Sequence, residues 1–190
     1  DMRERLGVEE RNHRVIADFI LMCYCVGNDF LPQLPGVEIL QGGIDSMFSV
    51  YLEGLEEDDP YLSRKHRGSY TLVKKNMGLF LERYAEMEED LINGKIRKRE
   101  SFFPDELLDS CSVAIAGKGL RVDMQRYKSA YYAKKFPPGT SVRDVCMAYL
   151  TGMQWVLNYY LNGIPSWTWC YPYDYGPFLS DMVECIRSNP

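Results

Sequence analysis

Histidine is nearly missing from this chain: only His13 and His66 occur in 190 residues. A Ser-His-Asp triad or a Cys/His zinc site therefore has almost nothing to draw on, and neither a GxSxG elbow nor a P-loop is present. Gly117-Lys118-Gly119 is not followed by Ser or Thr, so it reads as a loop and not as a phosphate cradle. The six cysteines, Cys23, Cys25, Cys111, Cys146, Cys170 and Cys185, lack CxxC spacing and read as free thiols of a reducing compartment. Long apolar runs are missing as well. The longest, Phe19 to Val26, has eight residues, against the roughly 20 that a membrane-spanning helix needs, so no membrane association is expected. The opening Asp1-Met2-Arg3-Glu4-Arg5 is too charged for a secretory signal, and a start on Asp reads as a piece of something longer. A large excess of basic charge is also lacking. With 22 Lys plus Arg against 27 Asp plus Glu, the net charge is −5, which argues against a non-specific nucleic-acid coat working by phosphate neutralisation. Two local basic clusters remain, Arg64-Lys65-Arg67 and Lys95-Arg97-Lys98-Arg99, and both read first as solvated loops.

What is present is an ordinary globular composition, 46% hydrophobic and 26% charged, with an unusual 13% of aromatic residues. A chain of this length can bury a substantial core. Apolar positions from Val15 to Val26 recur at helical spacing and stop at Gly27, predicting a first helix over about 12–26. Ile44, Met47, Phe48, Tyr51 and Leu55 predict a second over about 43–54. Thr71 is a candidate cap for a third, with Val73, Met77, Phe80, Leu81, Tyr84 and Leu91 as its buried stripe. Residues 94–121 lose periodicity around Phe102-Phe103-Pro104 and predict a variable, mobile connection with at most one short element. The chain then divides as 1–93, a linker at 94–121, and 122–190. Asp123 caps a helix running to about Phe136, and Ser141 with Asp144 opens the longest helix, closed by Asn162-Gly163. Strand signals are nearly absent before residue 164, so the expected fold is mostly α, with an aromatic-rich extended segment near the end.

Two places could carry chemistry. Gly27-Asn28-Asp29 follows an apolar helix on a loop stiffened by Pro32 and Pro35, so Asp29 either shapes a turn or offers a carboxylate to a hard cation such as Mg²⁺. Asp18 lies eleven residues earlier on the same helix, roughly 16 Å along its axis, and cannot share that ion. The second place is Gly163 to Phe178, where aromatics occupy every odd position from Trp167 through Tyr175. An extended chain would point these rings to one side. Such a stripe either packs on the preceding helix or offers ring faces to unpaired bases.

Asp18-Phe19-Ile20-Leu21-Met22-Cys23-Tyr24-Cys25-Val26-Gly27-Asn28-Asp29-Phe30-Leu31-Pro32 resembles the end of the first conserved region of the XRN-type 5′→3′ exoribonucleases. Arg126 through Phe136, Tyr149 through Tyr160, and Ser166-Trp167-Thr168-Trp169 onward to Asp181 resemble their second conserved region. The blocks stand in the family's order and cover about half the chain.

The resemblance implies the helical C-terminal portion of an α/β, PIN or flap-nuclease-like exonuclease core. It also implies a processive enzyme that hydrolyses single-stranded RNA bearing a 5′ monophosphate, with Mg²⁺ (or Mn²⁺) held by an acidic cluster. Asp29 matches the last acid of that cluster, and the others, with the 5′-phosphate pocket, belong to an N-terminal part of the nuclease that is absent here. Such a piece is expected to be inactive alone. Trp167 or Trp169 matches the family's base-stacking Trp, and the sequence does not say which. Asp174 stands where the family usually carries His, and Gln33-Leu34-Pro35 replaces His-Leu-Pro. Neither departure touches a metal ligand. The short middle segment and Phe178-Leu179-Ser180-Asp181 lean to the cytoplasmic mRNA-decay branch, with the nuclear branch as the alternative. The rival reading is a helical protein-interaction module of the same fold that has lost catalysis.

Overall fold

The computed structural model describes residues 2–54, 59–97, 105–117 and 119–189. Leu55, Lys98, Arg99, the Phe102-Phe103-Pro104 run and Lys118 lie outside those residues. In chain order the elements are α1 (Met2–Tyr24), a tight helical turn Ile39–Gln41, α2 (Gly43–Gly54), β1 (Ser63–His66), β2 (Ser69–Leu72), α3 (Lys74–Ala85) and α4 (Glu88–Arg97). They continue as α5 (Glu106–Ser110), β3 (Ser112–Ile115), β4 (Gly119–Val122), α6 (Met124–Lys135), α7 (Val142–Asn162) and α8 (Leu179–Arg187). The fold is mostly helical, as the periodicity predicts.

Local chemistry accounts for most of the boundaries. The Asp123 carboxylate accepts from Arg126 N at the start of α6, and Ser141 Oγ accepts from Asp144 N at the start of α7. Gly163 ends α7 at φ 89°, a value that strains any residue with a Cβ. The first helix departs from expectation by beginning at Met2, well before its apolar stripe. Arg and Glu favour helix without needing a buried face.

Three expectations need correction. Thr71 does not cap a helix. It lies in β2, and the residue before α3 is Val73, which makes no capping bond. The chain forms a hairpin here because Arg67 and Gly68 take φ 50° and 85°, the left-handed pair that a two-residue hairpin turn requires. Leu91 does not share a helix with Tyr84, since α3 ends at Ala85 and α4 starts at Glu88. Residues 94–121 hold more than one short element: the end of α4, then α5, then the β3–β4 hairpin, paired Ser112 to Val122 through Ile115 to Gly119. Four-residue strands alternate too briefly to stand out from a loop.

Two apolar clusters form the interior. One joins α1, α2, α3, α7 and α8 around Leu21, Met47, Leu81, Tyr84, Met153 and Met182. The other joins α4, α5, α6 and the end of the aromatic segment around Ile92, Leu108, Tyr127, Tyr131 and Phe178. α7 contributes to both, through Cys146, Tyr149 and Val156 in the first and Val145 in the second. All six cysteines are free thiols. Among the described residues no helix is long and apolar enough to cross a membrane.

Candidate nucleic-acid interface

The loop after α1 is a rigid mount for Asp29. Gly27 takes φ 91°, and a Cβ there would sit 3.0 Å from Gln33 N, so the glycine lets the loop fold back on itself. Asn28 Oδ1 accepts from Phe30 N at 2.8 Å and Leu31 N at 2.9 Å, while Asn28 N donates to Leu31 O. Leu34 N donates to Cys25 O at 2.9 Å. The Tyr149 hydroxyl, buried in α7, donates to Pro32 O at 2.8 Å with Tyr24 O at 3.2 Å. Burial pushes that phenol far above its ordinary range, so it stays a donor at any physiological pH. Asp29 itself is exposed, and its carboxylate meets no hydrogen-bond donor or cation among the described residues. Tyr149→Phe is expected to cost about 1 kcal/mol of stability, the usual net worth of one hydrogen bond. It should also speed amide exchange at residues 25–34, as measured by hydrogen–deuterium exchange; unchanged exchange there would mean the loop is held without Tyr149.

Mg²⁺ takes about six oxygen ligands in near-octahedral geometry. Among the described residues no three Asp, Glu, His or Cys side chains gather to hold an ion, and Asp29 stands there as a single carboxylate. Asp18 is spent elsewhere. Its carboxylate is fully buried and accepts from Tyr51 Oη and Leu62 N at 2.8 Å and from Ser63 Oγ at 2.6 Å, tying α1 to α2 and to β1.

The aromatic segment behaves as an extended ladder only from Trp169 onward. Trp169 stacks on Trp155 at 5.2 Å, Tyr171 meets Tyr149 at 5.6 Å, Tyr173 meets Phe136 at 5.5 Å and Tyr175 meets Tyr131 at 6.3 Å. Trp167 leaves the pattern. Ser166 Oγ accepts from Thr168 N at 3.2 Å and contacts Thr168 Oγ1 at 3.1 Å, bending the chain so that the Trp167 indole stands 86% exposed with no ring contact. The five odd-numbered rings therefore do not share one side: four pack on α6 and α7, and one points away.

Both places meet on the last turns of α7. Phe30, next to Asp29, packs on Trp155 at 5.1 Å and Tyr159 at 4.7 Å, and Trp155 also carries Trp169. Gly152 makes this convergence possible. A Cβ there would fall 2.5 Å from Leu31 Cδ2 and 2.9 Å from Trp169 Cη2, so the loop and the ladder close over a helix position that has no side chain. Sequence reasoning placed Trp155 and Gly152 within the resemblance and gave neither a role. The signal was a glycine inside a long helix, which is unfavourable there by roughly 1 kcal/mol unless something packs on it. Three buried donors, Tyr24 Oη, Asn28 Nδ2 and Trp155 Nε1, have no partner among the described residues, and all belong to this end.

The family described as the Xrn1 helical domain matches residues 10–114 and 116–188. The chain belongs to that family. Similar curated proteins include a "5'-3' exoribonuclease 2 homolog" of Drosophila melanogaster, 28% identical over 94% of this chain and 26% of its own length. The "5'-3' exoribonuclease 1" of Homo sapiens is 24% identical over 95% of this chain and 13% of its own length. A "5'-3' exoribonuclease 2" of Aspergillus fumigatus is 41% identical over 40% of the chain. The chain thus spans between 8% and 31% of the length of these and similar relatives, and their printed names carry both numbers, so no branch follows from them.

Proposed function

We propose that this chain is the helical part of a 5′→3′ exoribonuclease, serving as a platform beside the active centre rather than as a catalyst by itself. In the full-length protein Asp29 would be one carboxylate of a Mg²⁺ or Mn²⁺ cluster whose other acids come from the N-terminal part. Single-stranded RNA with a 5′ monophosphate is the substrate class, and Trp167 is the ring on which a base stacks. The observation that carries the reading is the convergence on α7: a free carboxylate on a tightly bonded loop whose Phe30 packs on Trp155 and Tyr159, and an outward indole two residues before Trp169, which stacks on the same Trp155. Unpaired buried donors at the same end fit a surface completed by the rest of the protein.

The two tryptophans test it. In the full-length protein Trp167→Ala should leave the melting temperature unchanged and cost about 1–3 kcal/mol of single-stranded RNA binding, the usual worth of base–aromatic stacking. Trp169→Ala removes the ring stacked on Trp155 and should cost roughly 2–3 kcal/mol of folding stability. Thermal melts and RNA titrations at one salt concentration decide the matter. An unchanged RNA affinity for Trp167→Ala would remove the stacking assignment.

A further inference from the structure

The first basic cluster of the sequence lies on the β1–β2 hairpin, and the way this hairpin is mounted tells where its tip goes. Its strands pair Ser63 to Leu72 through His66 to Ser69. α7 grips β2 through two side chains one turn apart. Gln154 Oε1 accepts from Leu72 N at 2.8 Å, and Gln154 Nε2 donates to Tyr70 O at 2.8 Å. Asn158 Oδ1 accepts from Tyr70 N at 3.1 Å and from Ser69 Oγ at 3.2 Å, while Asn158 Nδ2 donates to Tyr70 O at 2.9 Å. Going from Leu72 back to Ser69 therefore means going forward along α7, from Gln154 to Asn158. Asn162 continues the row by donating from Nδ2 to Asn158 Oδ1.

Arg67 and Gly68 precede Ser69, and a strand advances about 3.3 Å per residue, against 1.5 Å in a helix. As the two residues of the turn they lie about one strand step beyond the His66–Ser69 pair, which is about two helix residues beyond Asn158, in the last turn of α7. From that end the chain leaves toward Trp167. The hairpin tip thus points toward the end of α7 from which the chain continues to Trp167.

The tip is basic, and its charge is available. Arg64, Lys65, His66 and Arg67 are all exposed. Arg64 is engaged by Asp59 at 3.0 Å, which also pairs with Arg14 at 2.7 Å. Lys65 lies over the Tyr70 ring at 5.3 Å and, like Arg67, meets no carboxylate among the described residues. Tyr70 is buried and bonded to α7, so the cation stands on an immobile ring.

We infer that the β1–β2 hairpin is an arm that binds the phosphate backbone of the RNA strand whose base stacks on Trp167, with Lys65 and Arg67 as its phosphate-contacting cations. This inference rests on the RNA reading given above. Contacts of this kind carry no base preference and appear as counterion release: each neutralised phosphate of a single strand contributes about 0.7 to the slope of log affinity against log salt.

The test uses the full-length protein, a labelled single-stranded oligouridylate and a chelator that keeps the probe intact, with titrations over a range of salt. The variant is Lys65→Gln with Arg67→Asn, because Asn tolerates the left-handed backbone of position 67. Its slope should fall by about 1.4, so that curves meeting at 1 M salt differ about 25-fold at 0.1 M. Lys65→Arg alone should keep the wild-type slope, and Trp167→Ala should weaken binding at every salt concentration without changing it. If the double variant keeps the wild-type slope and affinity while Trp167→Ala binds weakly, the arm is refuted and the stacking reading survives. A loss of affinity that does not vary with salt also refutes the arm. If the wild-type protein does not bind the probe, both readings fail together.

Discussion

Asp29→Ala in the full-length protein is expected to reduce turnover of 5′-monophosphorylated RNA by at least about a hundredfold while leaving the melting temperature unchanged. Stability should hold because the loop owes its shape to the Asn28 amide, the Gly27 backbone and the Tyr149 hydroxyl, none of which touches the Asp29 carboxylate. An exposed side chain without partners leaves no buried group unsatisfied when it is removed. Turnover should collapse because a lost direct metal ligand removes more than the 10–100-fold that outer-shell losses remove. Single-turnover RNA degradation in saturating Mg²⁺ and a thermal melt of the same sample measure both quantities. Near wild-type cleavage would make Asp29 a turn residue, and a large drop in melting temperature would mean that the loop depends on its charge.

Much of this arrangement was legible in the sequence, and the illegible parts share a physical cause. The caps at Asp123 and Ser141 and the glycine stops at Gly27 and Gly163 are local, because residues within four positions of each other decide them. The β1–β2 hairpin was missed since Arg-Gly is a weaker turn signal than Asn-Gly, and since β2 is bonded on its free side by Gln154 and Asn158, more than eighty residues away. The same distance hid the outcome for the tryptophans. Alternation predicts one side for Trp167 and Trp169, and the hydroxyl of Ser166 overrides it with a single bond to Thr168 N. The resemblance identified the family and pointed to Asp29 as a candidate metal ligand, but said nothing of how α7 joins the two places. That junction comes from contacts across the chain, in which Phe30 reaches Trp155 and Leu31 covers Gly152.

Asp18, which shares α1 with the approach to Asp29, is expected to behave in the opposite way. Asp18→Ala would leave Tyr51 Oη, Leu62 N and Ser63 Oγ without their acceptor inside the apolar cluster. At about 1–3 kcal/mol for each buried donor left unpaired, the loss should reach at least about 3 kcal/mol. The milder Asp18→Asn gives the pH test. Burial raises the Asp18 carboxyl above its ordinary 3.8, partly offset by the bonds from Ser63, Leu62 and Tyr51. A folded carboxyl with a raised pKa binds protons more readily than the unfolded one, so its contribution to stability falls as pH climbs from that ordinary value through the raised one. Glu88, also raised by burial, acts in the same direction, whereas Asp59, held low first by its bond from Arg14, acts in the opposite direction below 3.8. Both groups are common to wild type and variant and cancel in the difference. The stability gap between wild type and Asp18→Asn should therefore widen on acidification through that window, as denaturant melts at a series of pH values would measure. A gap that narrows in acid would mean that the three donors hold Asp18 as a carboxylate, with hydrogen bonding outweighing burial.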